Sequence, residues 1–234
     1  MFKEEVIAEN MENIILLGSG GHAHSVVDSI EQMGQYRVLG FLDVAEKQDN
    51  FYKDYRVIGT DDALKDYYLK GVRNAFVAIG YMGDNSIQDR LYNCLKEIGF
   101  NIPNIIDNTA MVADDVVLEE GIFIGKRAVI NANAVIKRMC IINTGAIIEH
   151  DCYLGEYSHV AVGTILCGGV SIGSRTLVGA NATVIQNIKV GSDVIVGAGT
   201  VITKNLKDKV VKYGTVEKSR DDVYDKLKQQ EYDL

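Results

Sequence analysis

No apolar run in this chain approaches the length needed to cross a bilayer. The first residues, Met-Phe-Lys-Glu-Glu, lack a basic start followed by an apolar core, so no secretion signal is expected. Positive charge is also short. Lys and Arg number 24 against 32 Asp and Glu, a formal net charge of −8. No basic patch offsets this, so wholesale nucleic-acid binding is not expected. An anionic ligand would have to be met by local cations and backbone N–H groups. The four cysteines, Cys94, Cys140, Cys152 and Cys167, lack the paired spacing of zinc or redox motifs, and a reducing cytoplasm is the expected setting. The remaining composition, 47% hydrophobic and 24% charged over 234 residues, is that of a globular protein with room for two small domains.

One pattern dominates what is present. Apolar residues recur at every sixth position from Val112 to Ile202: Val112, Leu118, Ile124, Ile130 and so on through Val190, Val196 and Ile202, without a slip. A period of six fits neither an α-helix nor a flat strand. It fits a chain coiled into a triangular prism, one short strand per face, with the sixth side chain filling the axis. Four residues after most anchors stands a small or slim residue, such as Ala128, Ala134, Cys140, Cys152, Ser158 or Thr164, suited to a tight inner corner. Glycine or asparagine often follows the anchor directly, as at Gly125, Asn131, Gly155 and Gly173. Those residue types are expected there for left-handed corner angles.

The residues before the repeat follow different rules. Asn13–Gly18 reads as an apolar strand running into Gly18-Ser19-Gly20-Gly21-His22, and Val26, Val27, Ile30 and Met33 then share one helical face. Arg37–Asp43 reads as a second strand ending in an acid, Asp61–Leu69 as a helix and Asn74–Gly80 as a third strand. Ser86–Ile98 reads as a longer helix and Asn101–Ile106 as a fourth strand. Alternating strands and helices imply a small parallel sheet of Rossmann type. Gly18, Gly20 and Ala23 fit the G-x-G-x-x-G/A pattern, in which glycines let a phosphate approach the start of a helix. Asp43 stands where an acid accepts hydrogen bonds from ribose or sugar hydroxyls. The domain has room for only half of a dinucleotide fold, so a nucleotide-sugar is expected rather than NAD. The expected organisation is residues 1–107 as a Rossmann-like half-domain and 108–206 as a parallel β-helix. Residues 207–234 follow as a charged segment that either caps the coil as a helix or stays solvated.

Histidine is scarce, with four in the chain. His22 and His24 stand in the glycine turn, His150 and His159 in the coil. His150 lies two positions after an inward anchor and should point outward. Amine or hydroxyl attack on a thioester needs a proton acceptor near neutral pH, which a histidine beside a carboxylate supplies. Either Glu149 or Asp151 could be that carboxylate. Hexapeptide-coil carbonic anhydrases hold zinc with three histidines and this coil has two, so no metal is expected.

These residues resemble a known family. Gly18-Ser19-Gly20-Gly21-His22 after a strand, Phe41-Leu42-Asp43, Ala78-Ile79-Gly80 and the run from Glu149-His150-Asp151-Cys152 to Ser158-His159-Val160 are similar to the sugar O-/N-acyltransferases of the sialic acid O-acetyltransferase type. That family includes the enzymes that acetylate bacillosamine and perosamine precursors. The resemblance implies a left-handed coil, acetyl-CoA as co-substrate and homotrimers with active sites between subunits. It implies His150 as general base and Asp151 as the acid that supports it. His159 would contact the acetyl group, and Gly168 and Ala180 would line the pantetheine arm. Gly20, Gly21, His22, Asp43 and Gly80 would bind the nucleotide-sugar, a UDP-linked 4-amino-sugar being the expected acceptor. O-acetylation of a sialic acid and a non-catalytic sugar-nucleotide scaffold are the alternatives. Two departures stand out. His24 replaces a common lysine, and the usual Gly-x-Pro-Ala-Lys ending is absent.

Overall fold

The computed structural model describes residues 11–80, 85–214 and 216–219. Two compact units divide the described residues, one up to Asn108 and one from Thr109.

The first unit is built on a five-stranded sheet. Strand β1 (Glu12–Leu17) is an interior strand, paired in parallel with β2 (Tyr36–Leu42) on one side and the edge strand β5 (Asn74–Val77) on the other. Ile14, Ile15, Leu16 and Leu17 are all fully buried, the continuous apolar run expected of a strand covered on both faces. Each such side chain contributes about 1.5–3 kcal/mol relative to exposure. Helix α1 (Gly21–Met33) packs Ala23, Val26, Val27 and Ile30 inward, and Gly34, at φ 65°, stops it in a left-handed cap.

Two expectations for this unit need correction. Asn101–Ile106 does not extend the sheet: Asn101 makes one isolated bridge to Asn74, and only Ile105–Ile106 is a strand, outside this sheet. Pro103 carries no N–H for a ladder. The fourth parallel strand is instead β4 (Tyr55–Gly59), which pairs with β2 and forms a hairpin with β3 (Phe51–Tyr52). The expected helix at Asp61–Leu69 divides into a 3₁₀ turn, Asp61–Ala63, and α2 (Leu64–Leu69), while α3 occupies Ser86–Ile98.

The second unit is a left-handed parallel β-helix. Two-residue strands pair with strands eighteen residues on: Ile130 with Ile148, Ile148 with Leu166, Leu166 with Val184. Three hexads therefore make one turn around three sheets. The anchors from Ile124 to Ile202 are all buried, and Val112 and Leu118 at the open start are half-buried. The slim residues four positions later are buried too, and three of their hydroxyls share one long-range partner position. The Ser158 hydroxyl donates to the Gly173 carbonyl (3.0 Å), Thr164 to Gly179 (2.9 Å) and Thr176 to Gly191 (2.8 Å), each fifteen residues ahead. The buried interior of the prism thus accepts these hydroxyls because each reaches a corner carbonyl.

The left-handed angles fall elsewhere than expected. They occur at the third residue after the anchor, at Arg127, Asn133, Met139, Asp151, Tyr157 and Arg175, with φ between 55° and 60°. The glycines directly after the anchor serve close approach instead. A Cβ on Gly155 would stand 2.6 Å from the Ser174 nitrogen, and one on Gly179 would stand 2.6 Å from the Val196 carbonyl.

The coil also outlasts its sequence period. Leu206 bridges Val190, and Val211 pairs with Ile195, an offset of sixteen residues rather than eighteen. The last turn is two residues short, which hides it from a search at a spacing of six. Strand Val210–Tyr213 then turns back antiparallel to Val216–Ser219. The expected terminal helix, beyond Ser219, lies outside the described residues.

Candidate active site

In the first unit, the glycine turn leaves β1 and enters α1. Gly18 is required by the fold: its φ is +100°, and a Cβ would stand 2.6 Å from the Ile79 side chain. Gly20 and Gly21 differ. Gly20 is extended (φ −81°, ψ −174°) at the helix N-cap with no side-chain cap, and a Cβ at either position would meet nothing within 4 Å. Packing does not ask for glycine there. The open space over the first backbone N–H groups of a thirteen-residue helix suits an anion.

Asp43, at the end of β2, holds this turn in place. Its Oδ2 accepts from the Ser19 N–H (2.8 Å) and the Ser19 hydroxyl (2.7 Å), and its Oδ1 from the Val44 N–H (2.8 Å). Lys47 approaches Oδ2 at 3.5 Å. Burial alone would raise the Asp43 pKa, but these bonds and the Lys47 charge outweigh it and hold the carboxyl below its ordinary range. Asn50 donates to the Ser19 oxygen (3.1 Å), extending the network to the β3–β4 hairpin. Beside it opens a cleft of about 450 Å³ lined by Asp43, Val44, Gln48, Val57, Gly59 and Thr60. Gly80 packs close to His22, where a Cβ would lie 3.6 Å from that of His22, and the Gly80 carbonyl accepts from the Gln88 amide (2.8 Å). His24 stacks on Tyr52 with ring centroids 4.1 Å apart.

In the second unit, His150 and Asp151 form a pair. His150 Nδ1 stands 2.7 Å from Asp151 Oδ2, and the Asn133 amide donates to Oδ1 at 2.6 Å. A carboxylate can only accept, so Nδ1 carries the proton and Nε2 keeps its lone pair in the neutral ring. The imidazole is 61% exposed. The hydrogen bond to Asp151 is the main cause of a raised His150 pKa, and the charges of Asp151 and Glu149 add to it. Asn133 first, then His150, holds the Asp151 carboxyl below its ordinary range. Of the two carboxylates open from sequence, Asp151 is the one bonded to the ring. Gly168 lies against the ring edge, where a Cβ would stand 2.5 Å from Nε2.

His159 occupies another face, in the strand His159–Val160, where its Nε2 lies 2.8 Å from the Asn143 amide. The residue keeps some accessible surface, but burial of the ring pushes its pKa down to about 4. It is neutral at pH 7. Ala180 is a half-buried corner residue two positions after Val178. The structure therefore gathers His150, Asp151 and Gly168 at one corner and sets His159 and Ala180 apart from them. From sequence, Asn133, Asn143, Ser19 and Asn50 carry no site role. Asn133 was within reach, because it stands eighteen residues before Asp151, one turn of the coil. Among the described residues, no three His, Cys, Asp or Glu side chains are grouped to hold a metal, and no helix is long and apolar enough to cross a membrane.

Comparison with known proteins agrees with this architecture. The PglD N-terminal domain family matches residues 13–95, and the hexapeptide repeat of succinyl-transferase matches residues 169–204. A histidine-to-asparagine variant of perosamine N-acetyltransferase from Caulobacter crescentus, solved with CoA and GDP-perosamine, is 36% identical. That match covers 88% of this chain and 96% of the other, with a TM-score of 0.82. The acetyltransferase domain of PglB from Neisseria gonorrhoeae, solved with acetyl coenzyme A, is 28% identical over 89% of this chain and 99% of its own, with a TM-score of 0.80. WeeI from Acinetobacter baumannii, at 21% identity and a TM-score of 0.76, shares the fold. Fold and repeat together define a hexapeptide-repeat transferase. Within that class, the chain belongs to the PglD-type sugar acyltransferases.

Proposed function

We propose that this chain transfers the acetyl group of acetyl-CoA to the 4-amino group of a nucleoside-diphosphate-linked sugar. The observation that carries the reading is the exposed His150 imidazole, oriented by Asp151 so that Nε2 can take a proton. As the sugar amine attacks the thioester carbonyl, a C–N bond forms and the C–S bond breaks. His150 Nε2 accepts the amine proton, Asp151 stabilises the imidazolium, and the proton passes to the departing thiolate. Positioning and general-base help each contribute several kcal/mol. No covalent acyl-enzyme is needed. Burial pushes the Cys140 thiol up to about 12 and Cys152 to about 11, so neither is a nucleophile at neutral pH.

Gly20, Gly21 and His22 receive the diphosphate and sugar at the start of α1, and Gly80 borders them. The cleft beside Asp43 takes the nucleoside. UDP is the nucleotide expected from the resemblance, and the GDP-perosamine bound to the Caulobacter relative makes GDP an equal candidate. His159, neutral and fixed by Asn143, meets the acetyl carbonyl, and the small corners at Gly168 and Ala180 leave room for the pantetheine arm. A homotrimer with sites between subunits completes the reading. One coil face supports it. Met111, Val129, Ile147, Ile165, Thr183 and Val201 stand in register, and Met111, Ile165 and Val201 are 69%, 37% and 57% exposed, an apolar stripe that a neighbouring subunit would cover.

Thiol release from acetyl-CoA, followed with UDP- and GDP-linked 4-amino-sugars and with free sialic acids, tests the proposal. Turnover with a sugar nucleotide is expected. Turnover with sialic acid alone would replace it by O-acetylation, and binding of sugar nucleotides with no thiol release would leave a scaffold.

A further inference from the structure

We infer that Asn133 completes a three-residue relay, Asn133–Asp151–His150, in which it is the positioning residue that holds the carboxylate against the imidazole. The inference rests on the reading of His150 as the base.

Neighbours in a chain seldom face each other on a strand, because successive side chains point to opposite faces. His150 and Asp151 meet because Asp151 sits at a corner with φ 60°, which swings its side chain back toward His150. That geometry alone leaves the carboxylate loose, since the Asp151 side chain is 54% exposed and free to rotate into water. The second hold comes from the turn before. Asn133 occupies the equivalent corner at φ 59°, and the Asp151 N–H donates to the Ala132 carbonyl at 3.0 Å, which locks the two corners in register. The Asn133 amide then reaches Oδ1 at 2.6 Å, leaving Oδ2 for His150 Nδ1 at 2.7 Å. Each carboxylate oxygen has one assigned donor, and the plane of the carboxylate is fixed.

The corner itself does not demand asparagine. Arg127, Met139, Tyr157 and Arg175 hold the same left-handed angle at their own corners. What distinguishes position 133 is the side chain it faces one turn later. Glu149 is the other charge acting on His150, and no bond from it to the ring is formed in preference to Asp151.

The test uses the full chain with two substitutions that both tolerate a positive φ. Asn133→Gly removes the amide. Asn133→Asp keeps the shape but sets an acceptor against Oδ1. NMR titration of the His150 ring without substrates, and kcat and KM with acetyl-CoA and an acceptor, are the readouts. In Asn133→Gly the His150 midpoint is expected to fall toward the ordinary histidine value. In both variants kcat is expected to fall by roughly 10-fold or more, with both KM values within about twofold. An unchanged His150 midpoint and unchanged kcat in folded Asn133→Gly would overturn the relay. If that variant does not fold, wild-type kcat in Asn133→Asp would overturn it equally. His150→Ala separates the two levels: retained turnover there removes the base itself, whereas loss there beside normal Asn133 variants removes only the relay.

Discussion

The two units read differently because order is stored differently in them. In the coil, up to its shortened last turn, one rule of eighteen residues per turn places each side chain beside a known neighbour. In the α/β unit, the glycine turn is conspicuous, yet the groups that hold it arrive from the end of β2 and the segment between β2 and β3, at no fixed spacing. A site on a periodic scaffold can be assembled on paper from sequence. A site on an aperiodic one shows its glycine motif and hides the residues that support it.

Gly168 sharpens the contrast most strongly. It stands eighteen residues after His150, and its missing side chain makes room for the ring. Gly168→Ala should push the imidazole off its place and lower kcat by roughly 10- to 100-fold, with the melting temperature changed little because its φ is ordinary. Loss of the fold together with activity would show that Gly168 serves the coil and not the base.

The glycine turn offers the matching cut in the other unit. Gly18→Ala meets the Ile79 side chain at an unfavourable φ and should destabilise by about 1–3 kcal/mol. Gly20→Ala meets nothing and should leave melting unchanged while raising KM for the sugar nucleotide several-fold. Equal melting losses at both positions would contradict the division between a structural and a ligand-facing glycine.

A further effect concerns the acid stability set by His159. Its folded pKa is depressed to about 4 by burial, below the ordinary value of 6.5. Between those values the unfolded chain binds the proton more readily, so stability is full above about pH 6.5 and declines as pH falls toward 4. The loss attributable to this group should be about 1–3 kcal/mol, at the lower end because the residue is partly exposed. His159→Gln should flatten that slope in pH-dependent melting. An unchanged slope would place the acid sensitivity elsewhere. His150 behaves oppositely: its raised pKa should move the acid limb of kcat/KM above the position of an ordinary histidine.

Most of the coil was legible before the structure, anchor by anchor, and so was the pairing of His150 with an adjacent carboxylate. The choice of Asp151 over Glu149 was not legible from the strand rule, because it depends on a left-handed corner that alternation does not foresee. The corner angles were assigned to the wrong position because glycine after the anchor answers to backbone crowding, not to φ. Strands β3 and β4 escaped notice because they span two and five residues and join through the polar pair Lys53-Asp54. Asn101–Ile106 was over-read because one proline withdraws a donor from an otherwise strand-like run. The final turn of the coil was missed for a purely arithmetical reason, its two-residue shortening.

The proposed chemistry stands or falls with one exposed histidine on the coil, His150. The direct measurement is thiol release from acetyl-CoA by His150→Ala beside wild type, with an accepted sugar nucleotide and with folding checked by melting. An intact fold and a kcat lower by roughly 10²–10⁴-fold are expected if His150 is the base. Turnover near the wild-type rate in the folded variant would contradict it.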